Sequence, residues 1–215
     1  MSDAHESETA GSGADGEESR SASSRSESDD AESVERAVVL DHLPYGRPDD
    51  DRPQHQKPEV AYAVGEAAFD LFELTLADGA DVSIGDRIVV APDADREVVQ
   101  RYREIEYEDL SRGAEQELEY VIEEIVERHP DRFLEYFNEA QPLTLRLHQL
   151  NVLPGIGDKL RDDILESRKR EGPFESFEDL EERIGGLHDA EGTVVDRIME
   201  ELTEDVKYRA FVGEN

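Results

Sequence analysis

The sequence predicts an α+β protein in which a small β region precedes a helical region. Residues 35–107 contain short apolar runs, separated by turn residues, that are typical of strands. From Ser111 onward the apolar residues recur every three or four positions, as they do on helices. Because strands and helices do not alternate along the chain, a parallel sheet with crossover helices is not expected.

Residues 1–34 are set apart from the rest of the chain by their composition. They are mostly Ser, Gly, Ala, Asp and Glu, and Val34 is their only large apolar residue apart from the initial methionine. Such a segment cannot bury enough apolar surface to offset the conformational entropy that ordering would cost. We therefore expect residues 1–34 to be a disordered acidic tail.

Residues 35–110 are expected to form a β domain of five strands. The third run changes its apolar residues from one parity to the other at its centre, which predicts a bulge. Asp78-Gly79 is a hairpin signal at the end of this run. Five short strands without an intervening helix favour a small closed barrel. The expected strands are 36–42, 60–64, 67–76, two short pieces within 82–90 around a Gly85-Asp86 turn, and 98–107.

Residues 111–142 are expected to form two helices that connect the β domain to the C-terminal region. The first carries a stripe of apolar residues at helical spacing and ends before Pro130. Asp131 is then expected to cap the second helix. The stripe of the first helix consists of Ala114, Leu118, Val121, Ile122 and Ile125.

Residues 143–215 are expected to be helical, interrupted by a tight turn at residues 153–157, Leu-Pro-Gly-Ile-Gly. A helix is predicted before this turn because three leucines share one face of it. These leucines are Leu143, Leu147 and Leu150. After the turn, the expected helices are 158–170, a third that is capped by Ser176 in a capping box with Asp179, and 193–202.

The 153–157 turn is the part of the sequence that says most about function. Its glycines allow backbone conformations that a Cβ would forbid. Because a helix starts directly after it, the N–H groups around Ile156 and Gly157 are expected to point outward at the positive end of the helix dipole, where they can hold one phosphate oxygen. The other interpretation is a turn that serves only helix packing or contact with a protein.

The C-terminal region resembles a double helix-hairpin-helix domain of the competence-protein type over residues 143–204. The resemblance is carried by Leu153-Pro154-Gly155-Ile156-Gly157, Ile164, Arg168, Gly172-Pro173-Phe174, Ser176 and Glu178-Asp179-Leu180. It implies that the amides of Gly155, Ile156 and Gly157 bind a nucleic-acid backbone without reading its sequence. With the basic residues of the following helix, the candidate nucleic-acid-binding residues are Pro154, Gly155, Ile156, Gly157, Lys159, Arg168, Lys169 and Arg170.

Two positions depart from the pattern of that family. Arg161 stands where the family usually has a small residue for close helix contact, so the angle between the helices need not match. The second hairpin is expected near residues 185–187, but there the sequence places Asp189 and Glu191 opposite any phosphate. We expect this degenerate second hairpin to be a structural repeat that only completes the core.

The whole chain also resembles the archaeal family catalogued as domain of unknown function 655, whose members pair an OB-like β domain with such a helical module. The matching sequence near the C-terminus is Glu200-Glu201-Leu202 followed by Lys207-Tyr208-Arg209-Ala210-Phe211. The resemblance implies an RNA-binding or nucleotide-binding protein. Genes of that family tend to lie among those for transcription and ribosome maturation, including an rRNA dimethyladenosine methyltransferase. No established activity is implied.

The chain is strongly acidic along its whole length. It has 56 acidic and 23 basic residues, a formal net charge of −33 and only four lysines. Residues 1–34 hold ten of the acidic and two of the basic residues, so the acidity is not confined to the tail. A lysine-poor acidic surface stays soluble where molar salt screens its self-repulsion. We therefore expect a cytoplasmic protein of a halophilic archaeon.

Several function classes find no support in the sequence. The chain has no cysteine, no apolar run of membrane-spanning length, no Walker loop and no His-Glu-x-x-His motif. Gly172-Pro173-Phe174 stands where DNA glycosylases with a helix-hairpin-helix have their catalytic aspartate. We therefore expect no enzyme activity, no cofactor, no bound metal and no membrane contact.

These observations favour a protein that binds nucleic acid, RNA more than DNA, without catalysis. At about 1 M salt the Debye length is about 3 Å, so long-range charge effects vanish and short-range amide contacts remain. Two alternatives stay open, a DNA repair or recombination accessory and an adaptor that binds only proteins. The β domain could add base stacking, although pairing of its arginines with acids is the favoured interpretation. The residues concerned are Tyr45, Arg47, Tyr62, Arg87, Arg101, Tyr102 and Arg103.

Overall fold

The computed structural model describes residues 34–213, which form a five-stranded antiparallel sheet followed by five α-helices. The α+β class is confirmed, and the expected acidic tail lies outside the described residues apart from Val34. The strands are β1 (Glu35–Leu43), β2 (Val60–Gly65), β3 (Leu71–Leu76), β4 (Arg87–Ala91) and β5 (Val99–Ile105). The helices are α1 (Arg112–Arg128), α2 (Pro130–Glu139), α3 (Asp158–Glu171), α4 (Phe177–Arg183) and α5 (Ala190–Thr203).

The sheet is a curled half-barrel with the strand order β4-β1-β2-β3-β5. Every neighbouring pair of strands is antiparallel. The two end strands, β4 and β5, are not hydrogen-bonded to each other, so the closed barrel that the strand count predicted does not form. One face of the sheet buries a cluster of its own, which includes Ala37, Val39, Ala61, Ala63, Phe72, Leu74, Ile88 and Val90.

Two strands are shorter than predicted because turns replace their first residues. In the 67–76 run, Phe69 has a positive φ of 57° and its N–H donates to the Gly65 carbonyl at 3.2 Å. The change of face within that run is therefore a tight turn and not a bulge. Before β4, the chain turns near Gly85 and Asp86 as predicted, but the expected strand piece before that turn does not form, and the Ser83 N–H donates to the Asp86 carboxylate at 2.7 Å.

The other face of the sheet packs against the helices in one continuous core. Val38, Leu40 and Leu71 of the sheet belong to the same buried cluster as the helical apolar residues. The helix α1 lies against both β1 and α5. The core therefore crosses residue 110, where the sequence placed the end of the β domain. Its fully buried helical members include Leu118, Ile122, Ile125, Ile164, Val194 and Ile198.

The start of α1 is tied to β1 by a short set of polar contacts. Ser111 is the N-cap, and its hydroxyl accepts the Ala114 N–H at 3.0 Å. The same hydroxyl donates to Asp41 Oδ2 at 2.5 Å. Gly113 lies so close to this carboxylate that a Cβ there would be 2.7 Å from Asp41 Oδ2. A larger residue at position 113 would therefore displace this carboxylate.

Residues 142–148 form a loop instead of the helix that the spacing of the leucines predicted. The two ends of this 142–148 loop pair as an isolated antiparallel bridge. At its tip, Thr144 Oγ1 accepts the N–H groups of Arg146 and Leu147 at 3.2 and 3.0 Å. A side-chain oxygen that takes local N–H groups in this way competes with helical hydrogen bonds. A short 3₁₀ helix, Gln149–Val152, follows the loop.

The other helices begin near the predicted positions. The helix α2 begins at Pro130, with Asp131 in its first turn and not at the cap. The helix α4 is capped by Ser176, whose hydroxyl accepts the Asp179 N–H at 3.0 Å as the capping-box pattern predicted. The helix α5 begins three residues before the predicted start, at Ala190.

The end of α3 is fixed by two polar side chains. Asn138 of α2 exchanges two hydrogen bonds with the backbone of Phe174, at 2.8 and 3.0 Å. Arg183 of α4 donates to the carbonyls of Gly172 and Ser167 at 2.9 and 3.1 Å. Its guanidinium also lies 4.2 Å from the centroid of the Phe174 ring. These contacts hold α2, α3 and α4 in one fixed arrangement.

The chain after α5 folds back onto the core through Glu201, whose side chain is buried. Its carboxylate accepts the N–H groups of Ala210, Phe211 and Val212 at 2.6, 2.9 and 2.9 Å. Arg197 donates to the same carboxylate at 2.7 Å. Charge-assisted hydrogen bonds of this kind are among the stronger ones in proteins, so Glu201 anchors the C-terminal segment.

Candidate nucleic-acid interface

The 153–157 turn presents glycine backbone to solvent. The Ile156 N–H donates to the Leu153 carbonyl at 3.2 Å, and the Ile156 side chain is buried in the core. Gly155 has a φ of +75°, a left-handed conformation that favours glycine. Gly155 and Gly157 are exposed, and a Cβ at either would meet no atom within 4 Å. Ile156 therefore anchors the turn. The sequence predicted that its N–H would be available for phosphate, but this N–H is engaged within the turn.

The first turn of α3 has no side-chain cap. Gly157 is its N-cap, and the first intrahelical bond runs from the Arg161 N–H to the Gly157 carbonyl at 3.0 Å. Within the part of the chain that the structure describes, no hydrogen bond is made by the N–H groups of Gly157, Asp158, Lys159 or Leu160. These donors lie at the positive end of the helix dipole, beside exposed glycine, where an anion is stabilised.

A second turn, residues 184–188, has the same backbone form, but amides beside it are already hydrogen-bonded to carboxylates of the protein. The Leu187 N–H donates to the Ile184 carbonyl at 3.2 Å, and Leu187 is buried like Ile156. However, Asp189 caps α5 by accepting the Gly192 N–H at 2.8 Å. The Ala190 N–H donates to Glu181 at 2.8 Å. Carboxylates of the protein thus hold the amides that a ligand would need.

Arg161 supports the 153–157 turn from behind. The Ile156 carbonyl accepts the Asn151 side-chain amide at 3.2 Å, and Arg161 Nη1 donates to Asn151 Oδ1 at 3.1 Å. Arg161 also pairs with Asp158 at 2.7 Å and Asp162 at 2.8 Å. The residue that departs from the helix-hairpin-helix pattern is therefore engaged in holding the turn.

The four predicted cations are not brought together. Arg168 donates to the Phe137 carbonyl at 2.9 Å and to the Ala140 carbonyl at 3.4 Å, so it caps the end of α2 and leaves the candidate set. Lys169 and Arg170 lie about 15 Å along α3 from its first turn. Only Lys159 is near the turn, and its exposed ammonium pairs with Asp163 at 2.7 Å.

One signal at this site escaped the motif-based prediction. Residues 140–157 contain no Asp or Glu, in a chain in which 56 of 215 residues are acidic. This acid-free segment comprises the 142–148 loop, the following 3₁₀ helix and the 153–157 turn. It could have been found by searching the sequence for gaps between acidic residues, without any motif.

His148 lies at the base of the 142–148 loop and is 7% exposed. Its Nδ1 accepts the Leu150 N–H at 3.2 Å. Burial lowers the pKa of the His148 ring, and the guanidinium groups of Arg161 and Arg168 lower it further. The ring is therefore a neutral structural group.

Arg87 and Arg103 of the sheet and Arg47 in the loop after β1 are paired with acids, whereas Arg101 of β5 is exposed and forms no salt bridge among the described residues. Arg47 and Arg103 both donate to Glu73, at 3.0 and 2.9 Å. Arg87 pairs with Glu66. Tyr62 is buried, whereas the rings of two other predicted tyrosines are accessible, Tyr45 and Tyr102. The geometry agrees with the interpretation that these arginines serve the protein surface.

Residues 34–213 show no group of three or more His, Asp or Glu side chains placed to hold a metal ion. Within that same range, no helix is both long enough and apolar enough to cross a membrane.

Three accessible features lie in or near the acid-free segment: the backbone amides at the start of α3, the 142–148 loop and a groove. This groove, of about 630 Å³, lies between α2, the base of the 142–148 loop and Phe211.

Comparison with known proteins places the chain in a family. The chain is 38% identical over 178 residues to the uncharacterised protein MJ0038 of Methanocaldococcus jannaschii, a match that covers 82% of this chain and 77% of that protein. It superposes on the crystal structure of Af1531 from Archaeoglobus fulgidus with a TM-score of 0.76 and 40% identity, covering 83% of this chain and 99% of that one. Residues 33–213 match the family described as "Protein of unknown function (DUF655)", and the chain belongs to that family.

Proposed function

We propose that this protein binds RNA without catalysis, in ribosome maturation or translation, and that it holds a phosphate on the amides at the start of α3. The observation that carries the proposal is the uncapped first turn of α3. In contrast, α1, α4 and α5 each begin with a side chain that accepts a first-turn N–H, and α2, which also lacks a side-chain cap, begins with Pro130, which has no N–H. Exposed amide donors next to glycine, where the acid-free segment ends at Asp158, are suited to a polyanion.

The proposed fold assignment supports the same function. We assign the two turns and their flanking helices to a degenerate double helix-hairpin-helix, since the turns share one hydrogen bond pattern. We assign the half-barrel to the OB-like class, in which a five-stranded barrel is partly open. Both classes occur in proteins that contact nucleic-acid backbones.

We also propose a cytoplasm of high salt as the setting. The excess of acidic residues over basic ones, with only four lysines, favours it. In molar salt, phosphate contacts that depend on counterion release weaken steeply. Hydrogen bonds from backbone amides act at contact distance and lose less, so the site at α3 fits that condition.

The decisive experiment is Gly157→Asp in the full chain. Gly157 has φ −80° and ψ 179°, which any residue adopts, and the added carboxylate would cap α3 and occupy the phosphate position. We expect stability to rise by about 0.5 kcal/mol, because a capping carboxylate at a helix N-terminus is favourable. We expect the affinity for a stem-loop RNA in molar KCl to fall at least tenfold, as measured by fluorescence anisotropy.

The matched control is His188→Asp, at the equivalent position of the 184–188 turn, where the side chain is also exposed. It makes the same change of charge next to amides that are already filled, so RNA affinity should stay within twofold. Equal losses in both variants would contradict the amide site. Tighter binding of the matching stem-loop DNA would favour the repair accessory, and binding of neither would favour the protein adaptor.

A further inference from the structure

The tip of the 142–148 loop carries an unusual pair of side chains. Leu145 is completely exposed, and Leu143 beside it is 37% exposed. Large apolar side chains in such positions cost solubility without contributing to the core. Arg146 follows Leu145 directly and is exposed as well. The tip thus offers an apolar group and a cation side by side.

The loop that carries this pair is well defined. Its ends pair as an antiparallel bridge, and the N–H groups of Leu143 and Thr144 both donate to the Leu147 carbonyl, at 2.9 and 3.0 Å. The Thr144 hydroxyl closes the tip from within. Because the backbone is fixed by these bonds, Leu145 is presented on a rigid support and ordering it on binding costs little.

The charge of the tip distinguishes it from the rest of the surface. Among the described residues, ten arginines pair with carboxylates and seven, including Arg146, form no salt bridge; Arg146 is the one arginine of residues 140–157. The tip also lies within the acid-free segment. A free cation without neighbouring acids in its own segment is complementary to an anionic partner.

The tip and the 153–157 turn are joined by a short rigid connection. Only the 3₁₀ helix Gln149–Val152 separates them in sequence. Within it, Asn151 donates to the Ile156 carbonyl at 3.2 Å and accepts from Arg161 at 3.1 Å. The base of the loop and the start of α3 are therefore joined by a short structured connection.

We propose that Leu145 is a wedge that inserts beside an unstacked base while Arg146 contacts an adjacent phosphate. The proposal rests on the proposed function, since the α3 amides hold the backbone next to the wedge. The ligand is then RNA with a base that leaves the stack readily, at a bulge or at the junction of a stem with a loop. Apolar wedges that separate base steps are a known means of binding deformable nucleic acid.

A nucleic acid is the favoured occupant because of the arginine and the amides. In a symmetric contact, a second copy of this chain would place its own Arg146 and α3 N–H donors against the same groups, so donors would face donors. Insertion of an apolar side chain between bases is not weakened by screening. The contact therefore suits the same molar salt as the amide site.

The test uses the full chain, molar KCl and a stem-loop RNA with 2-aminopurine next to a single-base bulge. The fluorescence of 2-aminopurine rises when the base leaves the stack. We expect wild-type protein to raise it on binding. Leu145→Ser should lose most of this rise and bind about tenfold more weakly, and Arg146→Gln should weaken binding while the rise at saturation persists.

The matched control is Ile84→Ser, which removes an exposed aliphatic side chain, 52% accessible, from the loop before β4. It should change neither the affinity nor the fluorescence. RNA binding with an unchanged signal in Leu145→Ser would overturn the wedge and leave the amide site intact. Loss of RNA binding in Gly157→Asp together with an intact wedge signal in wild type supports both. A wild-type dimer that Leu145→Ser dissociates, without RNA binding, would overturn both.

Discussion

At the scale of single residues, His148 shows how a buried titratable group can serve structure alone. It lies under the 142–148 loop, where its Nδ1 replaces a backbone acceptor for the Leu150 N–H. Because burial and two guanidinium groups lower its pKa, the folded state resists protonation of the ring. The unfolded chain has the ordinary histidine pKa of about 6.5.

This difference predicts a dependence of stability on pH. Above about pH 6.5 the ring is neutral in both states and contributes nothing to the dependence. Below it, the unfolded state binds a proton that the folded state does not, so stability falls as the pH falls. His148→Asn keeps an acceptor for Leu150 but cannot titrate. Thermal unfolding from pH 7.5 to 5.5 should therefore show a shallower decline in the variant, and parallel curves would contradict this role.

Residue roles in the 153–157 turn were only partly predictable from sequence. The glycines were found because a Leu-Pro-Gly-Ile-Gly sequence before a helix restricts the backbone. The sequence did not reveal that the Ile156 N–H is engaged within the turn, or that Arg168 donates to two carbonyls at the end of α2. Both depend on contacts whose partners are set by tertiary packing, which a single sequence does not reveal.

At the scale of elements, the 142–148 loop shows the limit of periodicity. Leu143, Leu147 and Leu150 have helical spacing, yet Leu143 faces solvent and Leu150 faces the core. The hydrogen bonds of Thr144 decide the backbone here, and they are local chemistry that a count of apolar residues ignores. The helix α1 agreed better because it has a buried apolar stripe and a Ser111 cap, and α3 because the glycines of the 153–157 turn mark its start.

The junction of α1 with β1 gives a prediction at this scale. Glycine to alanine inside a helix normally stabilises by about 1 kcal/mol. Gly113→Ala should instead destabilise by about 1 kcal/mol, because the new Cβ displaces an Asp41 carboxylate that Ser111 holds at 2.5 Å. In an Asp41→Ala background the same change should stabilise, and urea unfolding of the four proteins measures the sign. The same sign in both backgrounds would argue against the close contact.

At the scale of the whole molecule, the β region and the helices share one core. Residues of β1, β2 and β3 lie in the same buried cluster as those of all five helices. The spacing of apolar residues changes near residue 110, which marked the end of the strands. It could not show that one face of the sheet packs against the helices. Glu201 adds to this unity by fixing the segment after α5 to the core.

A shared core predicts cooperative unfolding. Leu118→Ala removes a fully buried side chain of α1 and should cost about 2–5 kcal/mol. Hydrogen exchange should show an equal loss of protection at strand amides such as that of Ala63 and at helical amides such as that of Ile198. Unchanged protection in the strands would mean that two units unfold separately.

The 184–188 turn, whose neighbouring amides bond to carboxylates of the protein, makes the two turns unequal. Glu181 and Asp189 act there as a built-in ligand, so the chain displays a free and an occupied copy of one motif. Of two equivalent turns, the protein's own carboxylates close the second and leave the first open. Replacement of these carboxylates by neutral side chains would therefore give the molecule two open turns instead of one.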